Sequence, residues 1–145
     1  MLTDDYFMRQ ALAEARQALA EGEIPIGAVV VLDNTIIGRG HNQTERLRDV
    51  TAHAEMLALS AAANFVGNKY LMACSLYVTI EPCVMCAGAS AWAQVRRVIY
   101  GAEEPKVGFR RHSPSLLHPR TQVRGGVLAE ECAALLRDFF SAKRK

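Results

Sequence analysis

Apolar positions recur along this chain in two periods, and the alternation between them sets the expected architecture. Phe7, Ala11, Ala15, Ala18 and Leu19 return every three or four residues, the spacing of one helix face. Thr3 as N-cap, Asp4 and Asp5 in the first turn and Gly22 as the stop predict a helix over 3–20. Ile26 to Leu32 is an apolar, β-branched run ending at Asp33-Asn34, and Thr35-Ile36-Ile37-Gly38 resumes it. That pattern predicts a hairpin. Its strand Ala28-Val29-Val30-Val31-Leu32 barely alternates, so helices are expected to cover both of its faces.

A polar stretch from His41 to Asp49 leads into a helix expected from about Ala52 to Ala63. The strand Leu76-Tyr77-Val78-Thr79-Ile80 runs straight into Glu81-Pro82-Cys83. Pro82 suits the first position of a helix that would continue to Ala93. Arg97-Val98-Ile99-Tyr100 reads as a fourth strand closed by Gly101. Residues 102–121, with Pro105, Gly108, Pro114 and Pro119, read as an irregular loop before a short strand near Gln122-Val123. A last helix over 129–143 would bury Leu135, Leu136, Phe139 and Phe140. No repeat or linker interrupts residues 1–145, which predicts one α/β domain: a three-layer sandwich whose mixed sheet of about five strands has helices on both faces.

Composition narrows the class. The 145 residues are 50% hydrophobic and 22% charged, too apolar for disorder and too plain for a fibrous protein. No apolar run approaches the roughly 18 residues of a membrane span, and Met1 to Asp5 lack the features of a signal peptide. A cytoplasmic protein with no membrane partner is expected. The net charge of +2 hides an asymmetry. Residues 1–95 carry 6 Lys and Arg against 10 Asp and Glu, whereas residues 96–145 carry 11 against 5. The C-terminal third is either a solvated surface or a basic face for a polyanion.

Four cysteines are too few for a disulfide framework. Cys74 and Cys132 stand alone and read as small buried hydrophobes. Cys83 and Cys86 are three apart at a predicted helix start, near enough to share a metal, and the amide dipoles there favour thiolates. His53 would make three ligands, and a zinc held by three protein groups keeps a fourth position for water. Residues two apart on a helix point to nearly opposite sides. His53 and Glu55 therefore converge only if His53 lies at the helix's first turn and that end faces the pocket. Glu55 could then bond the water and move its proton without ligating zinc. Alone, His-x-Glu and Cys-x-x-Cys say little; in this order, each opening a helix, they point to a zinc-dependent hydrolytic site.

The chain resembles the bacterial tRNA-specific adenosine deaminase family, in the cytidine-deaminase-like superfamily. The resemblance rests on the segments 23–29, Thr51-Ala52-His53-Ala54-Glu55, 76–89 and Val98-Ile99-Tyr100-Gly101-Ala102, together with Gly126-Val127-Leu128, Glu131-Cys132, Leu135-Leu136 and Asp138-Phe139-Phe140. It implies a cytidine-deaminase-like fold, a homodimer, one Zn2+ per subunit and conversion of adenosine to inosine at the wobble position of a tRNA anticodon stem-loop, with arginine tRNA the expected substrate and DNA not. His53, Cys83 and Cys86 would bind zinc. Glu55 would shuttle protons, protonating N1 while C6 is attacked and ammonia leaves. Asn42, Ile26 and the Ala54 backbone would hold the base, and Glu104 and Lys106 would contact RNA.

Departures from the family pattern cluster late in the chain. Val50 stands where many members have Pro. Glu104-Pro105-Lys106-Val107-Gly108 has Glu where many have Asp, and Phe109-Arg110-Arg111-His112-Ser113 replaces a small Gly-Ser-rich stretch. The family's Asn-His step before the last strand gives way to Leu117-His118-Pro119-Arg120-Thr121 in a shortened loop. Phe109 beside Arg110 and Arg111 could stack a base and bind phosphate or anchor the loop in the core. Lys143-Arg144-Lys145 could contact RNA, and Trp92 is expected in the core or at a dimer interface. Two other functions compete: a deaminase of free bases or nucleosides, which needs no basic C-terminal third, and a zinc-stabilised subunit without activity, which has no use for Glu55.

Overall fold

The structure is a computed structural model that describes residues 1–143. Among the described residues five strands form one sheet in the order β2-β1-β3-β4-β5. They are β1 (Gly27–Leu32), β2 (Thr35–His41), β3 (Ser75–Ile80), β4 (Arg97–Ala102) and β5 (Gln122–Arg124). β1 runs antiparallel to both β2 and β3, while β3, β4 and β5 are parallel. The helices are α1 (Asp4–Ala20), α2 (Thr44–Leu47), α3 (Ala54–Val66), α4 (Val84–Ala93), α5 (Phe109–His112) and α6 (Ala129–Lys143). A 3-10 turn covers Pro114–Leu116.

The unalternating β1 is buried on both sides, as its sequence demands. Val29 and Val31 join Tyr77 and Ile99 under α1 and α6, where Phe7, Met8, Ala11, Leu12 and Cys132 pack. Ala28 and Val30 join Leu76, Val78, Val98 and Tyr100 on the opposite face, against Ala54, Ala58 and Ala62 of α3, Ala87 of α4 and Phe109 of α5. Asp33 and Asn34 take positive φ values of 50° and 64° in the hairpin turn, the backbone a two-residue turn between twisted strands requires. Small residues let α3 sit directly on β2. A Cβ at Gly40 would run into Ala54 O and approach Ala58 N to 2.7 Å.

Several boundaries differ from expectation for local reasons. β2 continues through Gly40 and His41, delivering Asn42 to the sheet's end. β4 runs past Gly101, which is there for close packing, since a Cβ would strike Cys132 Sγ. α3 starts at Ala54 rather than Ala52 and ends at Val66, with Gly67 as its left-handed C-cap at φ 70°. Pro82 precedes the N-cap Cys83 instead of opening α4. The expected loop 102–121 contains α5 and the 3-10 turn, and the polar stretch 41–49 contains α2.

On α6, Phe139 and Cys132 are buried, whereas Phe140 is exposed and Leu135 and Leu136 are only partly covered. Leu19 is likewise exposed. Trp92 is 83% exposed, so the core reading fails and the interface reading remains. Phe109 is buried, which decides for the core anchor and against a stacking platform. Lys143 lies over the Phe139 ring at 5.4 Å, and Arg144 and Lys145 lie outside the described residues. Among the described residues no helix is long and apolar enough to cross a membrane.

Candidate metal centre and cleft

The site forms where two helices begin. His53 is the N-cap of α3 with extended backbone (φ −76°, ψ 153°), and Glu55 is that helix's second residue. The paradox of two residues two apart on one helix disappears, because His53 is not yet helical. Cys83 is the N-cap of α4 (φ −72°, ψ 173°), and Cys86 lies in its first turn. Neither cap side chain bonds its own helix, so both are free to face each other. His53 Nδ1 lies 3.7 Å from Cys83 Sγ and 3.5 Å from Cys86 Sγ.

One ligand atom from each of these three residues falls within a sphere where all lie within 4.8 Å of one another. Two thiols and an imidazole at that separation suit tetrahedral zinc with one position left open. The electrostatics agree. Hydrogen bonding from Cys86, together with His53 and the Cys86 backbone N–H, draws the Cys83 thiol down to about 4, while Cys86 keeps the shared proton and is pushed up. His53 is raised by its bond to Cys83. Metal binding at these groups would release their protons, since zinc takes the thiolates and the neutral imidazole. Glu55 is 3% exposed, and burial pushes its carboxyl up to about 6. A carboxyl held near neutrality beside a metal site can both accept and return a proton.

These groups open onto a cleft of about 160 Å³. Asn42, Ala54, Ile26 and Glu104 all border it, as do His53, Glu55 and Cys83. Cys86 sits behind, fully buried. Lys106 does not border the cleft: it is exposed on the rim, its N–H donating to Glu104 Oε1 at 2.9 Å. Ile24, Thr44, Ile80, Glu81 and Val107 also line the cleft without having been anticipated. Glu81 adjoins the cysteine motif and could have been suspected on that ground. Thr44 opens the one-turn helix α2 and Val107 lies on a loop, and no local pattern discloses the course of either segment.

The comparisons with known proteins agree with this geometry. The family described as the cytidine and deoxycytidylate deaminase zinc-binding region matches residues 1–102. A tRNA-specific adenosine deaminase of Agrobacterium fabrum is 45% identical, covering 96% of this chain and 95% of its own length. One from Bacillus subtilis is 42% identical, with coverage of 100% and 93%. Among solved structures, one from a study of A-to-I editing by tRNA:A34 deaminases superimposes with a TM-score of 0.84 at 44% identity, covering 90% of this chain and 99% of that one. A guanine deaminase from Nitrosomonas europaea reaches 0.80 at 28% identity, with coverage of 96% and 85%.

Proposed function

The chain belongs to the cytidine and deoxycytidylate deaminase zinc-binding family and, within it, to the tRNA-specific adenosine deaminases, and on that premise we propose that it converts adenosine to inosine at the wobble position of tRNA, with arginine tRNA as substrate. The observation that carries the reading is the placement of Glu55, buried between the His53, Cys83 and Cys86 cluster and the cleft. A site that only stabilised the fold would have no use for it.

His53, Cys83 and Cys86 would hold zinc, which when bound would supply Lewis acidity and make the attacking water more acidic. Glu55 takes the proton from the attacking water, passes it to N1 of adenine and assists ammonia in leaving. Ile24, Ile26, Ile80 and Val107 give the base apolar walls that exclude bulk water. Asn42 and the backbone of Ala54, the first N–H of α3, offer polar groups to the base edge. The anticodon loop already exposes its bases, so little unstacking is required. Glu104 and Lys106 contact RNA at the rim, and the basic C-terminal third lies towards phosphate.

Residues 1–145 act as one domain, paired as a homodimer through the exposed Trp92 face of α4. The enzyme works in the cytoplasm, where its four free cysteines stay reduced, and neither DNA nor a membrane is a partner. The test is mass spectrometry of an arginine-tRNA anticodon stem-loop with adenosine at the wobble position, incubated with zinc-loaded protein. A gain of about one dalton at that nucleoside alone is expected. Turnover of free guanine or cytosine with no change in the stem-loop would replace this reading with a free-base deaminase.

A further inference from the structure

We infer that two buried carboxylates outside the reacting centre, Glu23 and Glu81, are positioning residues that hold the two loops flanking the cleft in one conformation and so set how the RNA around the target base is gripped. The inference rests on the substrate reading above. Glu23 is 2% exposed and Glu81 5%. Glu23 precedes β1 and Glu81 follows β3; because those strands are antiparallel, both residues emerge at the same end of the sheet.

Each carboxylate does the same thing to a different loop. Glu23 Oε1 accepts the Glu45 N–H at 3.1 Å and Oε2 the Arg46 N–H at 2.8 Å. These belong to the first turn of α2, whose own N-cap, Gln43, makes no side-chain cap bond. Glu81 Oε1 accepts the Glu104 N–H at 3.2 Å and Oε2 the Arg110 N–H at 3.0 Å. Arg110 lies in the first turn of α5, whose N-cap Gly108 has no side chain to offer. One-turn helices do not stand alone in water, and charged acceptors make the stronger hydrogen bonds.

Each of these two is tied to a carboxylate more than 20 residues away in sequence, α5 with the added bond of its Phe109 N–H to Pro82 O at 2.9 Å. The loops they hold carry Thr44, Glu104 and Val107, which line the cleft. Gly108 lies so close to Glu81 that a Cβ there would meet its carboxylate. Both oxygens of each residue bond to loop backbone, and neither residue has a part in the proton transfers assigned to Glu55.

The test compares zinc-loaded wild type with Glu23→Gln, Glu81→Gln and Gly108→Ala. In a Gln variant one acceptor remains and the new amide faces an N–H, donor against donor. The readouts are zinc content, KM and kcat on the stem-loop, and exchange of the Glu45, Arg46, Glu104 and Arg110 amides. Zinc content should stay unchanged, and the amides of the affected loop should exchange at least about tenfold faster. KM should rise about tenfold or more while kcat falls less than about threefold. Gly108→Ala, whose Cβ would meet both the Glu81 carboxylate and Glu104 O at 2.6 Å, should speed exchange of the Glu104 and Arg110 amides as Glu81→Gln does.

Unchanged exchange and KM would overturn the inference. So would a loss confined to kcat in proportion to lost zinc or lost folded protein, because that marks a purely structural role. If a Gln variant does not fold, Asp at the same position keeps the charge but withdraws it by one methylene, and the same readouts decide. A wild type that leaves the stem-loop unconverted refutes the substrate reading, and amide exchange then decides the anchoring by itself.

Discussion

Substituting Gly40 by Ala should cost this protein zinc, although Gly40 touches no ligand. The new Cβ would collide with Ala54 O, reach Ala58 N at 2.7 Å and Leu57 Cβ at 3.0 Å. All three atoms belong to the first turns of α3, the helix that presents His53 and Glu55. Restoring ordinary contact, 3.4 Å or more, from the 2.7 Å approach moves that end of the helix by about 0.7 Å. Such overpacking of backbone against backbone costs about 1–3 kcal/mol. Zinc ligand distances tolerate only about 0.2 Å, so displacing His53 by several times that should weaken zinc about 10- to 100-fold.

Gly27→Ala supplies the control. Its Cβ would collide with Ala11 O and Ala15 N and reach Glu14 Cβ at 2.7 Å, which displaces α1, a helix with no ligand. Chelator competition and urea unfolding on both variants separate the effects. Each should lose about 1–3 kcal/mol of stability, and only Gly40→Ala should lose zinc affinity. Equal zinc affinity in the two variants would refute the claim that the α3–β2 approach sets the ligand geometry.

Glu55→Gln keeps shape and burial but removes the proton carrier, so turnover of the stem-loop should fall about 10²- to 10⁴-fold with zinc content intact; loss of zinc measured by atomic absorption would show Glu55 to be a ligand instead. Asp4 should stabilise the fold in a pH-dependent way. Burial opposes its charge, but bonds from Arg97 at 2.9 Å, Tyr77 and Arg124 at 2.7 Å outweigh that and hold its carboxyl at about 2. Its folded value lies below the unfolded one near about 3.9, so the contribution is complete above that pH and disappears as pH falls through about 2. Asp4→Asn should cost about 1 kcal/mol after solvent screening at pH 7, a gap that closes only below about pH 4 in urea unfolding; a gap that widens in acid would contradict this. Trp92→Glu should convert the proposed dimer to monomer in sedimentation without loss of zinc, and an unchanged sedimentation coefficient would move the interface elsewhere.

What the chain discloses in advance is what short-range physics dictates. The β-branched run at 28–32 announces burial on two faces because no polar residue interrupts it. The His53-x-Glu55 and Cys83-x-x-Cys86 spacings announce a metal centre because each pair spans the start of a helix. What stays hidden is whatever depends on partners distant in sequence. α2 and α5 are too short to show an amphipathic period, and Glu23 and Glu81 bond them from more than 20 residues away. Gly101 looks like a strand terminator until Cys132 is seen against it. Trp92 looks like core because it is large and apolar, yet α4 turns it outward while Ser90 and Ala87 pack inward. Lys106 has the right neighbours in sequence, and only the course of its loop shows that it misses the cleft.

This division bears on the departures from the family pattern. His53, Glu55, Cys83 and Cys86 are placed by the starts of α3 and α4, and those helices are seated on the sheet by Gly38 and Gly40 and by the layer of Ala54, Ala58, Ala62 and Ala87. From residues 104–121 that framework takes Phe109, Leu116 and Leu117, which close the core, and the backbone pairing of Gly108 with Cys83. The unusual loop reaches the centre through the Glu81 carboxylate and through backbone, where the Phe109 N–H donates to Pro82 O at 2.9 Å and Gly108 bridges Cys83, and it borders the cleft through Glu104 and Val107. Arg110 and Arg111, which stand in place of small residues, are themselves exposed and outside the ligand set. They act on what surrounds the base. Arg110 shows how: its guanidinium is held by Tyr100 Oη at 2.6 Å and its N–H by Glu81, so this positive charge is fixed at the rim rather than left to swing in solvent. A cation fixed there loses less conformational entropy on meeting a phosphate than a free arginine would. This segment thus bears on what surrounds the cleft, while His53, Glu55, Cys83 and Cys86 are placed by the starts of α3 and α4.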